Sequence, residues 1–159
     1  MNALQNTSPG WYNALMREDT LQDFKERLRS RGINPSYHRI KILEYLWNNR
    51  IHPTPETIFQ ALKTSLPTLS RTTVYNTLKL FVEYGILLEI TTEDREGRYD
   101  VDTRPHAHFR CISCGKFSDL GLDISLDFPR EIEGNLIKEG FVYLRGVCID
   151  CRKSDSARR

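Results

Sequence analysis

Arg98-Tyr99-Asp100-Val101-Asp102-Thr103-Arg104-Pro105-His106-Ala107-His108-Phe109-Arg110-Cys111-Ile112-Ser113-Cys114-Gly115-Lys116-Phe117-Ser118-Asp119-Leu120 brings together a His-x-His pair, a Cys-x-x-Cys knuckle and two carboxylates, Asp100 and Asp119, that bracket both. The run reads as two metal sites side by side. In the thiol half, Cys111 and Cys114 are answered by Cys148 and Cys151, and the chain has no other cysteine. Two such knuckles supply four thiolates, the set that closes a tetrahedral zinc with no open position, so this site is structural rather than catalytic. The insert, residues 115 to 147, is longer than in an ordinary two-knuckle ribbon, and something folded must sit inside it. A pair of disulfides is the alternative. Residues 1 to 25 carry no secretory signal, and cytosolic thiols stay reduced, which disfavours it.

The nitrogen and oxygen half is the functional one. Side chains two apart on a strand share a face, so His106 and His108 converge on one point if that segment is extended. Pro105 favours extension by pushing Arg104 out of the α region. A histidine pair alone is weak evidence, with two surface or hydrogen-bonded imidazoles as the plain alternative. Asp100 upstream and Asp119 downstream change the reading, because imidazoles joined by carboxylates make a mixed site suited to iron or manganese rather than zinc. His52, in His52-Pro53-Thr54-Pro55-Glu56, would complete such a set, but sequence alone does not bring it there.

A length of 159 residues allows one domain or two small ones with a buried core. The formal charge of +2 conceals an asymmetry: residues 1–90 hold eleven Lys and Arg against eight Asp and Glu, and the remainder twelve against thirteen. A slightly basic front half suggests nucleic acid. No apolar run approaches the roughly 20 residues of a membrane helix, and no repeat or low-complexity tract stands out. A soluble, cytoplasmic protein is expected.

In chain order, residues 1–17 read as a flexible leader, with Trp11 to Met16 adding a short helix. Thr20 caps a helix in which Leu21, Phe24 and Leu28 recur at helical spacing and which Gly32 stops. Asn34-Pro35 opens a second helix carrying Ile40, Leu43, Leu46 and Trp47 on one face. Thr54-Pro55-Glu56 repeats that start signal for a third, shorter helix. Ser70 caps a fourth, from Arg71 to Tyr84, stopped by Gly85. Its apolar face is Val74, Leu78, Phe81 and Val82. The other face shows Arg71, Thr72, Thr73, Tyr75, Asn76 and Lys79, which together with Ser70 can meet phosphates or base edges in a major groove. A solvated polar side is the plain alternative, and the order of helix, short helix, turn and helix favours helix-turn-helix.

Ile86 to Thr91 and Arg98 to Val101 flank a charged turn, Glu93 to Gly97, and read as the two strands of a wing. Between the knuckles, Lys116 to Leu120 and Phe141 to Val147 are strand-like, and Pro129 to Lys138 reads as a helix capped by Asp127. The expected fold is α+β: a winged helix-turn-helix over 18–102, then a small α/β dimerisation domain over 103–152 stapled by the four-cysteine zinc. Residues 153–159 form a charged tail, frayed from Arg152 onward.

Thr73-Val74-Tyr75, His52-Pro53-Thr54, His106-Ala107-His108-Phe109-Arg110-Cys111-Ile112-Ser113-Cys114-Gly115-Lys116 and Cys148-Ile149-Asp150-Cys151 together resemble the ferric uptake regulator (Fur) family over about residues 18 to 152. The resemblance implies a homodimeric transcription regulator that binds a palindromic, A·T-rich double-stranded DNA operator. It is most similar to the peroxide-responsive PerR branch, whose regulatory ligands match His52, Asp100, His106, His108 and Asp119. Iron-responsive members commonly carry glutamate at the position of Asp119 and often arginine at that of Asn76. The segment from Gly140 to Cys148 is shorter than in many relatives and lacks the histidines that hold a further metal in them. The implied mechanism is repression with Fe(II) or Mn(II) bound, relieved when peroxide meets iron and oxidises His52 or His106, while the zinc stays inert. An iron- or zinc-responsive repressor without peroxide sensing is the alternative within the family. An iron-dependent oxygenase would leave the reading helix unexplained. A zinc-ribbon interaction module without regulation is a further alternative, which metal-independent DNA binding would support.

Overall fold

A computed structural model describes residues 20–91, 96–121, 129–138 and 140–156. The expected leader and its short helix, the tip of the charged turn, Asp127 and residues 157–159 lie outside the described residues.

Helix α1, Leu21–Ser30, starts on a capping box: the Asp23 amide donates to Thr20 Oγ1, and the Thr20 amide donates to Asp23 Oδ2. Helix α2, Tyr37–Asn48, starts two residues later than expected, because Ser36 rather than Asn34 accepts the Arg39 amide. The Asn34 carbonyl is instead taken by Arg39 Nη1. Helix α3, Pro55–Leu62, has Thr54 as cap and proline at its first position, as expected. Helix α4, Arg71–Glu83, is capped by Ser70 and closed by Gly85, whose φ of +64° takes the left-handed turn. Phe24, Leu28, Leu43, Leu46, Ile58, Val74, Leu78 and Phe81 fill the core between these helices. Strands β1, Leu88–Thr91, and β2, Gly97–Asp100, pair antiparallel with Leu88 opposite Asp100. Helices followed by this two-stranded ribbon form a winged helix-turn-helix.

The second half is built on β3, Ala107–Cys111, flanked by antiparallel β4, Phe117–Leu120, and parallel β7, Val142–Gly146. Two expectations fail here. Pro129 to Lys138 is not a helix but a hairpin of β5, Glu131–Ile132, and β6, Asn135–Leu136. Glu133 and Gly134 both take positive φ, +51° and +79°, and Asn135 Nδ2 donates to the Ile132 carbonyl, so a tight primed turn prevails over the helical spacing of Ile132 and Leu136. The tail is not frayed from Arg152: helix α5, Ile149–Ser156, grows out of the second knuckle.

Leu78 is fully buried in the core. Leu78→Ala is expected to cost about 2–5 kcal/mol in urea denaturation, the range for a large side chain removed from a site that cannot collapse around the loss.

Candidate metal centre

Three of the chain's four histidines point at one spot. His52 lies in the connection from α2 to α3, where its own φ is +51°, a left-handed conformation unusual for a residue with a Cβ. Asp100 ends β2. His106 immediately precedes β3, and His108 follows two residues on, so the extended backbone sends both imidazoles the same way. Asp119 faces His108 across the β3–β4 pair. The donor atoms lie within 4.8 Å of one another. Asp119 Oδ1 stands 2.7, 3.2 and 3.7 Å from Nε2 of His52, His106 and His108, and Asp100 Oδ2 stands 3.4, 3.0 and 3.6 Å from the same three atoms. Metal–ligand bonds of about 2.1 Å at right angles separate neighbouring donors by about 3.0 Å, so the set is spaced for one ion.

Orientation agrees with spacing. Nε2 of His52, Nε2 of His108 and Asp100 Oδ2 are buried without an aligned hydrogen-bond partner, although carboxylate or imidazole atoms lie close by. Their lone pairs aim at the common centre instead of at each other. Leaving buried polar atoms unpaired is costly, and an ion at that centre satisfies all of them together. Five ligands, three imidazoles and two carboxylates, can hold Fe(II) or Mn(II) and leave an octahedral position open.

Surrounding residues hold these ligands in place, and sequence reasoning missed them. The Asp102 amide donates to Asp100 Oδ1 at 2.9 Å, which turns Oδ2 inward. His106 Nδ1 lies 2.8 Å from the Arg104 carbonyl, so that nitrogen carries a proton and Nε2 is the atom turned to the centre, where its lone pair becomes available when an ion displaces its proton. Between them, Asp102 Oδ1 accepts from the Arg104 amide and from Arg104 Nε. Arg98 Nη1 donates to the His52 carbonyl at 3.1 Å. The Phe117 ring packs against His52 and His108 at centroid distances of 5.0 and 5.6 Å. The ligand-like alternation Asp100-x-Asp102-x-Arg104-x-His106 was the available signal for the linker; nothing local marked Arg98 or Phe117.

With only protein groups present, the two carboxylates must find positive charge among the histidines. Burial disfavours an imidazolium at His52, yet Asp100 and Asp119 outweigh it and raise His52 to about 9. His106 rises to about 10 against the same burial, through Asp100, Asp119 and the Arg104 carbonyl. Burial pushes Asp100 up, but His106, His108 and His52 hold it far below the carboxylate range, and His106 and His52 likewise hold Asp119 at about 2 despite its burial.

The four cysteines form a second cluster at the far end of β3. Cys111 and Cys151 sulfurs are 3.9 Å apart, and Cys114 and Cys148 sulfurs 3.8 Å. Zn–S bonds of about 2.3 Å in a tetrahedron separate sulfurs by about 3.8 Å, whereas a disulfide would need about 2.05 Å. The parallel pairing of β3 with β7 sets Cys111 opposite Gly146 and so delivers the second knuckle to the first. Backbone N–H groups of Cys148 and Cys114 donate to Cys111 Sγ and pull its thiol down to about 6, which favours the thiolate a metal requires.

On α4, Ser70 and Thr73 hydroxyls are engaged with each other at the cap. Arg71 makes a two-pronged ion pair with Glu56 of α3, at 2.8 and 2.9 Å, and lies over the Phe59 ring. Thr72, Tyr75, Asn76 and Lys79, spaced along one helical face, are the exposed remainder of the expected reading surface.

A reading helix and wing whose linker carries ligands of a buried nitrogen and oxygen centre define a class: DNA-binding regulators governed by a metal ion. The comparisons make this specific. The model of the ferric uptake regulator family matches residues 30–140. The peroxide operon regulator of Bacillus subtilis is 35% identical over 144 residues, covering 89% of this chain and 99% of that protein. The peroxide-responsive repressor PerR of Staphylococcus epidermidis is 32% identical, covering 84% and 91%. Among solved structures, the ferric uptake regulator of Vibrio cholerae superposes with a TM-score of 0.62 at 25% identity, covering 78% of this chain and 98% of that one. The protein described here belongs to the ferric uptake regulator family.

Metal binding must displace the protons that the carboxylates hold on His52 and His106. Both groups are protonated at neutral pH in the ion-free site, so each proton lost on binding contributes tenfold in apparent affinity per pH unit until its pKa is passed. Mn(II) affinity, measured by competition with a fluorescent chelator from pH 6.5 to 8.5, is expected to rise at least tenfold per unit. A flat profile would mean that the rings are already neutral.

Proposed function

We propose that this chain is a homodimeric, metal-dependent transcriptional repressor that senses peroxide by oxidation of one of its own histidine ligands. The observation that carries the reading is the set of His52, Asp100, His106, His108 and Asp119, contributed from both sides of the linker to one ion-sized centre. In this reading these five hold Fe(II) or Mn(II), and Cys111, Cys114, Cys148 and Cys151 hold a structural zinc. Residues 18–102 act as the DNA-reading domain and residues 103–152 as the dimerisation domain. The peroxide-responsive relatives and the aspartate at position 119 support peroxide over a simple metal signal. A cytoplasmic location fits a DNA-binding role.

Iron, when bound, supplies one-electron reduction of peroxide, and manganese supplies the same clamp without that chemistry. The protein groups do the rest. The Asp119 side chain is 45% exposed and that of His106 14%, while those of His52 and His108 are each 1% exposed, so solvent and peroxide reach the centre from the Asp119–His106 rim. An imidazole that gains oxygen is a poorer ligand. His52 is the winged helix's own histidine in the set, and its loss detaches the reading head from the second half. His106, at the linker, has the same effect from the other side. A bias of about 3 kcal/mol between the closed and open arrangements changes DNA affinity on the order of a hundredfold.

Two reading heads are needed because one of such modest charge binds DNA weakly at physiological salt. Ile112, Leu136, Leu144 and Ile149 are exposed apolar side chains of the second half and suit the face that pairs two copies. Two-fold symmetry then matches a palindromic operator.

Iron-loaded protein treated with peroxide is expected to gain one oxygen atom on the peptide holding His52 or His106, to lose metal and to release operator DNA, while manganese-loaded protein is unchanged. Unmodified histidines in iron-loaded protein that still requires metal to bind DNA would instead indicate a repressor that reports iron or zinc alone. A separate expectation concerns Arg71. Replacing its partner, Glu56→Gln, is expected to release the guanidinium toward phosphate and steepen the plot of log affinity against log salt by about one. An unchanged slope in fluorescence anisotropy titrations would place Arg71 off the DNA.

A further inference from the structure

Beside the metal centre lies a cleft of about 400 Å³ that shares His106 with the five-ligand set and has no residue in common with the zinc cluster. Its three walls come from three parts of the chain. Leu88 of the wing strand forms one, the linker residues Thr103 to His106 form the second, and the two ends of the β5–β6 hairpin with the approach to β7 form the third. The hairpin wall is braced, since the Ile137 amide donates to the Arg130 carbonyl at 2.8 Å and fixes the two ends side by side. Arg104, Arg130 and Lys138 all line the cleft, and among the described residues none of its lining is acidic. Leu88, Ile137 and Phe141 supply apolar surface between these cations. A volume within the usual range of about 300–1,000 Å³, walls that are partly apolar and partly polar, and a few cations are compatible with a small-molecule site, and such sites favour junctions between structural units.

We infer that this cleft binds a small amphiphilic carboxylate, its charge held by Arg130 and Lys138 and its hydrocarbon part set against Ile137 and Phe141, and that binding there favours the metal-competent arrangement of the chain. A phosphate ion would leave the apolar walls wet, and a neutral apolar molecule would bury Arg130 and Lys138 without a counter-charge, Arg104 being already paired with Asp102. The coupling follows from where the walls lie. The cleft exists only when wing, linker and hairpin stand as they do here, and the five metal ligands converge in that same arrangement, with His106 belonging to both. A ligand that needs this arrangement must tighten metal, and metal must tighten the ligand by the same factor. This coupling rests on the metal-switch reading; binding to the cleft does not.

The test uses the full chain with zinc and Mn(II) bound, and octanoate as the probe, with octanol and inorganic phosphate as the uncharged and chainless controls. Isothermal titration is expected to show saturable octanoate binding at least tenfold tighter than either control. Arg130→Gln combined with Lys138→Gln is expected to lose at least tenfold in octanoate affinity while keeping Mn(II) affinity in the absence of octanoate, since neither residue is among the five ligands. Octanoate is further expected to raise Mn(II) affinity severalfold in the original chain and to have no such effect in the double variant. Phosphate or octanol binding as tightly as octanoate, or no binding at millimolar concentration, overturns the site. Binding that survives the double variant but disappears in Asp119→Ala puts the carboxylate on the ion and overturns it equally. Octanoate binding with unaltered Mn(II) affinity overturns the coupling. If the metal centre itself fails to bind Mn(II), octanoate titration of the zinc-loaded chain still decides the cleft.

Discussion

Two carboxylates, Asp100 and Asp119, brought close to the same three imidazole nitrogens cannot both stay ionised there unless positive charge sits between them. Everything distinctive about this chain answers that requirement. Without an ion, protons on His52 and His106 meet it; with a divalent cation the requirement is met without protons, and all five donors gain a partner. Because Asp100 and His52 belong to the winged helix and Asp119, His106 and His108 follow the linker, the same charge balance decides how the halves stand. Among the described residues, the extensive packing of each helix and strand is with elements of its own half. The centre is therefore the main fastening between them, and a change in one ligand is felt as a change in geometry.

The linker is built to pass that change along. From Asp100 to His106, alternate residues are joined in series: the Asp102 amide to Asp100, the Arg104 amide and guanidinium to Asp102, and His106 to the Arg104 carbonyl. Such a run cannot loosen at one end without releasing the other. A comparable device holds His52. Its left-handed backbone costs on the order of 1–3 kcal/mol unless its surroundings impose it, and two contacts from β2 do so, Arg98 to the His52 carbonyl and the Tyr99 amide to the Pro53 carbonyl. The strand that ends in Asp100 thus also aims His52, which makes the winged helix's two ligands a single preassembled unit.

Legibility in the sequence followed the range of the interactions. Helix starts at Thr20, Thr54 and Ser70 were readable because a cap involves residues three apart, and the zinc knuckles because each pair of thiols is two residues from closure. His106 and His108 were readable through strand alternation. Family likeness, rather than any local signal, placed His52, since its position depends on a backbone turn that no nearby residue announces. Phe117 and Arg98 escaped for the same reason. The hairpin at Glu131 to Leu136 is obscured in the sequence because Ile132 and Leu136, apolar and four apart, mimic a helix, whereas the turn rests on Glu133 and Gly134 between them. Helix α5 was missed because a short polar helix tied to a metal knuckle needs no amphipathic face to persist.

Placing the sulfur cluster and the nitrogen and oxygen cluster on one strand has a mechanical consequence. Strand β3 carries His108 in its interior and Cys111 at its end, paired on one side to β4, which bears Asp119, and on the other to β7, which leads to the second knuckle. Four thiolates around zinc leave no coordination position and no redox change, so that end of the strand is held whatever happens at the other. The mixed site, with its hard carboxylates and open position, suits an ion that reacts. Had one set of ligands served both sites, loss of a single ligand would loosen the sheet itself. On the function proposed above, with the roles divided along β3, losing the grip of His52 or His106 frees the reading head while the sheet beneath it keeps its shape.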